Sequence, residues 1–339
     1  MSDSLAWMGA AGWIAFAAAA AASYLLLLLL LPLLNRRALV QPNARSSHKV
    51  PTPQGGGVAV IAATLGVVIA GDLFGVAGAG FSLWLVLAAT VFIAIVGGID
   101  DIRSIPVLPR LLLQTVAAAI VVVALPNQLR LVPALPVLFE RVVEGFVLLW
   151  FVNLTNFMDG IDWLTVAEVV PVSAGLVVLS LMGALPREAT LVALALCGAM
   201  LGFAPVNRPV ARLFLGDVGS LPIGLLLGWL LIVLAGDGHV AAALLLPLYY
   251  LADATITLLR RLSKGEPVWQ AHRSHFYQRA TDSGYSVMQI VGRVFVLNIA
   301  LVALATATLL TASLALHVAA LLAGCALVVL LLYRFSAKA

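Results

Sequence analysis

The chain has 339 residues, of which 63% are hydrophobic and only 10% charged, with a mean hydropathy of +1.11 and a formal net charge of +4. Soluble domains carry about 25% charged residues, so a water-soluble globule is excluded, and a disordered chain, which needs low hydrophobicity and high charge, is excluded too. A polytopic membrane protein remains.

The apolar residues recur in blocks of about 17–25, the length at which a helix crosses about 30 Å of hydrocarbon. The short alternation of barrel strands is absent. In chain order the blocks cover about 5–34, 56–72, 81–99, 109–125, 140–157, 165–183, 189–206, 219–236, 240–259, 289–311 and 314–333. They predict an all-α fold of about eleven transmembrane helices in a single domain, 1–339. Asp3 precedes the first block and Arg36 and Arg37 follow it, the reverse of a cleaved signal peptide. It reads as a permanent span with the N terminus outside and, for an odd count, the C terminus in the cytoplasm. Only Arg130, Arg141 and Arg187 of the 19 basic residues then lie outside, as the positive-inside rule requires. The inner basic rim suits anionic lipid headgroups and phosphorylated ligands and argues against nucleic acid as a partner. Cys197 and Cys325 lie inside apolar blocks and read as packing residues.

Outer loops are short and plain, whereas five inner segments hold the polar residues: NARSSHKVPTPQGGG (43–57), GGIDDIRSIPVLPRLLLQ (97–114), NLTNFMDGIDWL (153–164), FLGDVGS (214–220) and RRLSKGEPVWQAHRSHFYQR (260–279). Cytoplasmic site loops are accordingly expected near 35–55, 100–110, 156–165, 207–219 and 260–288. Asp100 and Asp101 are neighbours at a helix end, so they point about 100° apart and serve different partners. As a water-facing cap the pair is ordinary, but acids at a helix C terminus are electrostatically disfavoured, which favours function.

Asn153, Asn156, Asp159 and Asp162 are spaced by three at the end of an apolar helix. This oxygen-only set suits a hard cation such as Mg²⁺, which binds through one or two carboxylates and substrate phosphates. Helix–helix hydrogen bonding by the asparagines and a solvated acidic loop would explain the same residues. Asp217, among small residues in GDVGS, is placed to join a metal site or merely to form a turn. His272, Arg273 and His275 can neutralise a pyrophosphate, with Arg able to grip it through two nitrogens; a basic loop obeying the positive-inside rule is the plainer reading. Gly55-Gly56-Gly57 lacks the strand and the GK[ST] ending of a phosphate loop and reads as close backbone packing, with His48 and Lys49 within reach of a ligand phosphate. Glu168 and Asp253, acids in apolar helices, read as supporting groups or helix glue.

In order and pattern these segments, over about 43–279, resemble the polyprenyl-phosphate N-acetylhexosamine-1-phosphate transferase family. That family includes the enzymes that start O-antigen and enterobacterial common antigen synthesis and the phospho-MurNAc-pentapeptide translocase. The resemblance implies transfer of N-acetylhexosamine-1-phosphate, GlcNAc-1-phosphate foremost, from a UDP-sugar to undecaprenyl phosphate with release of UMP. It implies Mg²⁺, with Mn²⁺ as a substitute, at the cytoplasmic face of a bacterial inner membrane, among membrane lipids, with a homodimer as an open possibility. It assigns Asp100 to deprotonating or orienting the lipid phosphate, with Asp101 adjacent and Asp159 close to nucleotide and metal. Asn156 and Asp217 match metal positions. Asp162 and Phe214 match positions that bind uracil, and Lys49 joins them toward the nucleotide. Arg110 and Asn153 lie toward the lipid phosphate, and His272, Arg273 and His275 match the pyrophosphate or sugar loop.

Two departures stand out. Trp163 occupies the second Gly position of the usual Asp-Gly-x-Asp-Gly-Leu, and Arg110 stands where Lys is usual. AHRSHFYQR lacks the triple His of the peptidoglycan branch, and PTPQGGG lacks its PTMGG form, which favours the O-antigen or capsule branch. UDP-MurNAc-pentapeptide or a deoxy-amino sugar is the alternative donor. A solute transporter is the distant alternative, disfavoured because transporters place ionisable groups at the midplane.

Overall fold

The structure is a computed structural model that describes residues 8–40, 51–76, 78, 80–267 and 272–337. After a π-helical turn at Met8–Gly12 come α1 (Trp13–Arg37), a two-stranded antiparallel ribbon of β1 (Leu39–Val40) and β2 (Thr52–Pro53), α2 (Gly57–Leu73), α3 (Phe81–Ile102), α4 (Val107–Ala124) and α5 (Val137–Phe157). There follow α6 (Leu164–Leu181), α7 (Arg187–Asn207), α8 (Asp217–Gly236), α9 (Val240–Leu245), α10 (Leu248–Ser263), α11 (Phe276–Asp282), α12 (Val287–Leu309) and α13 (Leu314–Ser336).

Among the described residues, eight helices are long and apolar enough to cross a membrane: Gly9–Arg37, α3, α4, α6, α7, α8, α12 and α13. The three other expected spans differ for identifiable reasons. The helix α2 has 17 residues, and α5 carries Glu140, Arg141 and Glu144 near its start. The block at 240–259 is split into α9 and α10 around Leu246 and Pro247, because proline supplies no backbone donor to a continuing helix. The α5 charges are paired on the spot, Glu140 with Arg130 at 2.6 Å and Glu144 with Arg141 at 2.7 Å. Their cost is thereby reduced, since a lone charge near hydrocarbon is expensive.

At the centre stands α8, whose apolar stretch is wholly buried, packed against α2, α3, α5 and α9. Helices in lipid gain little from apolar burial and associate through close packing of small residues. Gly224 and Gly228 do this on α8: a Cβ at Gly224 would lie 2.9 Å from Val152 Cα, and one at Gly228 would lie 2.5 Å from a Leu148 methyl. Helix α1 packs on α2 and α7, and α12 on α6, α9 and α13. The outermost helix, α13, keeps most of its apolar surface exposed, as a lipid-facing helix must. The polar residues collect at one end of this bundle, around the first turn of α8.

Candidate active site

The acidic pair at the end of α3 divides as neighbours on a helix should. Asp101 reaches the start of α8, its Oδ1 accepting from Asp217 N at 2.9 Å and its Oδ2 from Val218 N at 3.1 Å. Its carboxylate, disfavoured at the C terminus of its own helix, thus sits at the positive N terminus of another. Gly97 permits the approach, since a Cβ there would lie 2.3 Å from Asp217 O. Asp100 turns the other way. It accepts from Ile105 N at 2.5 Å and pairs with Arg110 at 2.9 Å. The same Arg110 nitrogen lies 3.9 Å from Asp217, and the carboxyls of Asp100 and Asp217 stand within hydrogen-bonding reach of each other.

From α5, Asn156 donates to Asp217 at 2.7 Å and to Ser220 at 2.9 Å. Asn153, one turn earlier, is held by Gln114 at 2.9 Å. The loop after α5 carries Asp159, which accepts a 2.5 Å hydrogen bond from Thr165. Its carboxyl is pushed up to about 7 by burial first, then by the charges of Asp101 and Asp162, against the Thr165 bond. Trp163 explains how a bulky residue fills a glycine position. Its backbone adopts φ 64°, a left-handed conformation that costs a non-glycine residue about 1–2 kcal/mol. The indole compensates by donating to Ala204 O at 2.6 Å, and the backbone N–H donates to Asn207 at 2.8 Å. Ala204 belongs to the last turn of α7, where carbonyls lack intrahelical donors. The indole ties the loop to α7.

The basic segment folds back over α5. Tyr277 donates to Phe157 O at 3.0 Å, against Gly160, where a Cβ would meet the phenol oxygen at 2.0 Å. The rings of His272 and His275 lie 4.8 Å apart. His272 is held well below the usual imidazole range, at about 4, by burial first and then by the charges of His275 and Arg261. Arg273 bonds Asp282 at 3.0 Å.

Arg110, Asn153, Asn156, His272 and His275 line one cavity of about 550 Å³, to which Asp100 and Asp217 are joined through Arg110 and Asn156. Its lining is part apolar (Leu111, Phe146, Leu149, Trp150, Leu258) and part polar (Arg110, Asn153, Asn156, His272, His275). The structure therefore brings Asp100, Arg110, Asn153, Asn156, Asp217, His272 and His275 together. Asp162 faces away, accepting from Ala211 N at 2.9 Å. Phe214 zips its backbone to the 53–56 segment, donating to Pro53 O at 2.8 Å and accepting from Gly56 N at 2.9 Å. Lys49 lies outside the described residues. The glycine run is close packing: a Cβ at Gly57 would lie 2.2 Å from Gly219 Cα.

Four polar residues given no role in the sequence reading support the site: Gln114 behind Asn153, Ser220 behind Asn156, Thr165 behind Asp159, and Gln54, which donates to Asp101 O at 2.9 Å. Gln114 alone had a sequence signal, an amide inside an apolar span. Of the two buried acids, Glu168 acts as helix glue, accepting from Asn298 at 2.7 Å.

Among the described residues no three His, Cys, Asp or Glu side chains converge as a cation cage. Magnesium does not need one. Asp100 and Asp217 share a single guanidinium, Arg110, and Asp101 lies beside them at the start of α8, which leaves surplus negative charge near Asn156 and Ser220. That donor set fits a hard divalent cation; thiolate or imidazole ligands for a softer metal are missing from it.

Comparison with known proteins agrees with this geometry. The family model described as glycosyl transferase family 4 matches residues 83–235, which carry the acidic pair, Arg110, the asparagines and Asp217. A probable undecaprenyl-phosphate N-acetylglucosaminyl 1-phosphate transferase of Bacillus subtilis is 26% identical over 288 residues, 80% of this chain and 78% of that protein. A decaprenyl-phosphate N-acetylglucosaminephosphotransferase of Mycobacterium tuberculosis is 27% identical over 292 residues, 75% of this chain and 71% of that protein. A phospho-N-acetylmuramoyl-pentapeptide-transferase of Leuconostoc mesenteroides is 31% identical over 193 residues, but covers 52% of this chain and 60% of its own length. The mixed apolar and polar lining of the cavity, the packing at α8 and these relatives point the same way: the chain is similar to the polyprenyl-phosphate hexosamine-1-phosphate transferases.

Proposed function

We propose that the protein transfers GlcNAc-1-phosphate from UDP-GlcNAc to undecaprenyl phosphate, releasing UMP, at the cytoplasmic face of a bacterial inner membrane. The lipid phosphate attacks the β-phosphorus of the UDP-sugar. A phosphorus–oxygen bond to the lipid phosphate forms, the bond from the β-phosphorus to the bridging oxygen breaks, and UMP leaves. The observation that carries this reading is the mixed lining of the cavity, apolar at Leu111, Phe146, Leu149, Trp150 and Leu258 and polar at Arg110, Asn156, His272 and His275. A prenyl chain and its phosphate need that combination.

Attack of one phosphate on another is opposed by charge, and positioned cations are the main remedy. Arg110, braced by Asp100 at 2.9 Å, offers its guanidinium to the lipid phosphate. His272 and His275 line the cavity where the diphosphate would lie, with Arg273 beside them in the same segment. Asp217 and Asn156 would hold Mg²⁺, which when bound offsets the negative charge of the diphosphate oxygens. Asp101 keeps α8, and with it Asp217, at the right depth. The reading includes eleven crossings with the N terminus outside, and service in the first membrane step of O-antigen or another envelope polysaccharide. The GlcNAc-named relatives, each aligned over about three quarters of its length, support GlcNAc over MurNAc-pentapeptide.

The test is release of UMP by purified protein offered UDP-GlcNAc, UDP-MurNAc-pentapeptide and UDP-deoxy-amino sugars, with and without undecaprenyl phosphate and Mg²⁺. Release with UDP-GlcNAc that requires the lipid and the metal is expected. Failure of the whole panel would overturn the assignment, and a preference for another sugar would overturn its donor.

A further inference from the structure

We propose that Asp253 is a positioning residue for this reaction: its buried carboxylate fixes the ring orientation and tautomer of His275, so that Nε2 is the nitrogen His275 presents to the diphosphate side of the cavity. The inference rests on the reading of the cavity given above. Asp253 lies in α10 with 0% exposure, an isolated acid in an apolar helix, where an ionisable group is costly unless it is partnered.

Three of its five partners are in the basic segment. Oδ1 accepts from Phe276 N at 2.9 Å and Oδ2 from Tyr277 N at 3.2 Å. Tyr249 Oη donates to Oδ2 at 3.2 Å and Thr257 Oγ1 to Oδ1 at 3.4 Å. His275 Nδ1 lies 3.3 Å from Oδ1. An ionised carboxylate only accepts, and every other partner of Asp253 donates to it. With two backbone amides already donating to the carboxylate, the hydrogen of the His275 contact is assigned to the imidazole, on Nδ1. The nitrogen of an imidazole that carries the proton is set by the hydrogen bond of the other, which leaves Nε2 as the functional atom.

The ring has no room to turn over. It stacks on Tyr277 at 5.8 Å and 17°, lies 6.3 Å from Phe157 and 4.8 Å from His272, and is 2% exposed. One edge nevertheless contributes to the cavity wall beside Asn156 and Gln278. Asp253 thus ties α10 to the two backbone amides that follow His275 and to the imidazole itself, so one buried acid sets both where the ring sits and which nitrogen it offers.

The test is ¹⁵N NMR of histidine-labelled protein in lipid, the His275 signal assigned with His275→Gln. The wild-type spectrum is expected to place a hydrogen on Nδ1 of His275; a spectrum with hydrogen on Nε2 alone would overturn the proposal, and this measurement needs neither a variant nor turnover. Asp253→Asn is expected to lose that signature and to raise KM for the UDP-sugar about 10–100-fold, the usual cost of removing a carboxylate behind a functional histidine. KM for the lipid phosphate should not change, and Asp253→Asn placed on His275→Gln should add no further rise. A purely structural role predicts less folded protein with wild-type KM in the folded fraction, and that result also overturns the proposal. Absence of turnover with every UDP-sugar would instead reject the assigned reaction and leave the tautomer measurement standing.

Discussion

Replacing Asp101 separates the two members of the acidic pair. The first turn of α8 leaves four N–H groups without intrahelical acceptors, and Asp101 takes two of them, at 2.9 and 3.1 Å. A side-chain cap contributes about 1 kcal/mol and up to about 2. A negative charge at a partly buried helix N terminus adds about 0.3–2 kcal/mol. Asp101→Asn keeps one acceptor and loses the charge, so it should cost about 1–2 kcal/mol; Asp101→Ala loses both bonds and should cost about 2–4. At about 2 °C per kcal/mol for a chain of this size, the expected falls in Tm are about 2–4 °C and 4–8 °C. Thermal unfolding of the detergent-solubilised protein followed by tryptophan fluorescence reads them. Turnover should fall only in part for Asp101→Asn, because Asp217 shifts but remains. An Asp101→Ala protein that melts with the wild type and has lost all turnover would refute the capping argument and move Asp101 into the chemistry.

Asp100→Asn and Asp217→Ala should each abolish most UMP release while leaving Tm within about 2 °C of wild type, the small shift expected when a substitution costs about 1 kcal/mol; wild-type rates in either would contradict the site. Trp163→Gly relieves about 1–2 kcal/mol of left-handed backbone but loses a hydrogen bond of about 1 kcal/mol and burial of an indole that contributes about 2–3. A net loss of stability is therefore expected, and a rise in Tm would show that the indole tie to Ala204 contributes little. His272 has its folded value at about 4, below the unfolded value near 6.5. The native state then binds fewer protons between those values, so this contribution to stability is complete above about pH 6.5 and is lost as pH falls toward 4. In His272→Asn the decline of Tm between pH 6.5 and 4 should be shallower, and parallel curves would reject the assignment.

Much of this was legible in the chain because the signals are local. Apolar runs long enough to span a bilayer mark helices wherever they occur, and the GIDD, NLTN and GDVG segments stand out because few polar residues are tolerated in so apolar a chain. The spacing of Asp100 and Asp101 already required that they part company. Local pattern was a poorer guide to continuity at 240–259, where Pro247 splits the expected span, and to Trp163, whose fit depends on carbonyl and amide groups of α7.

The sequence by itself determined that the protein is a membrane helix bundle with its polar chemistry at helix ends, since composition and periodicity are properties of neighbouring residues. Only the tertiary structure decided what each polar group does. Asp101 became a cap because the helix it stabilises begins 116 residues away, and Asn156 meets Asp217 across 61 residues. Asp253 acquired a partner in His275 only because α10 and the segment after it fold together. Such pairings are set by which helices touch and at what depth, through contacts like Gly97 on Asp217 and Gly224 on Val152, and close approach between distant segments leaves no periodic trace in the chain.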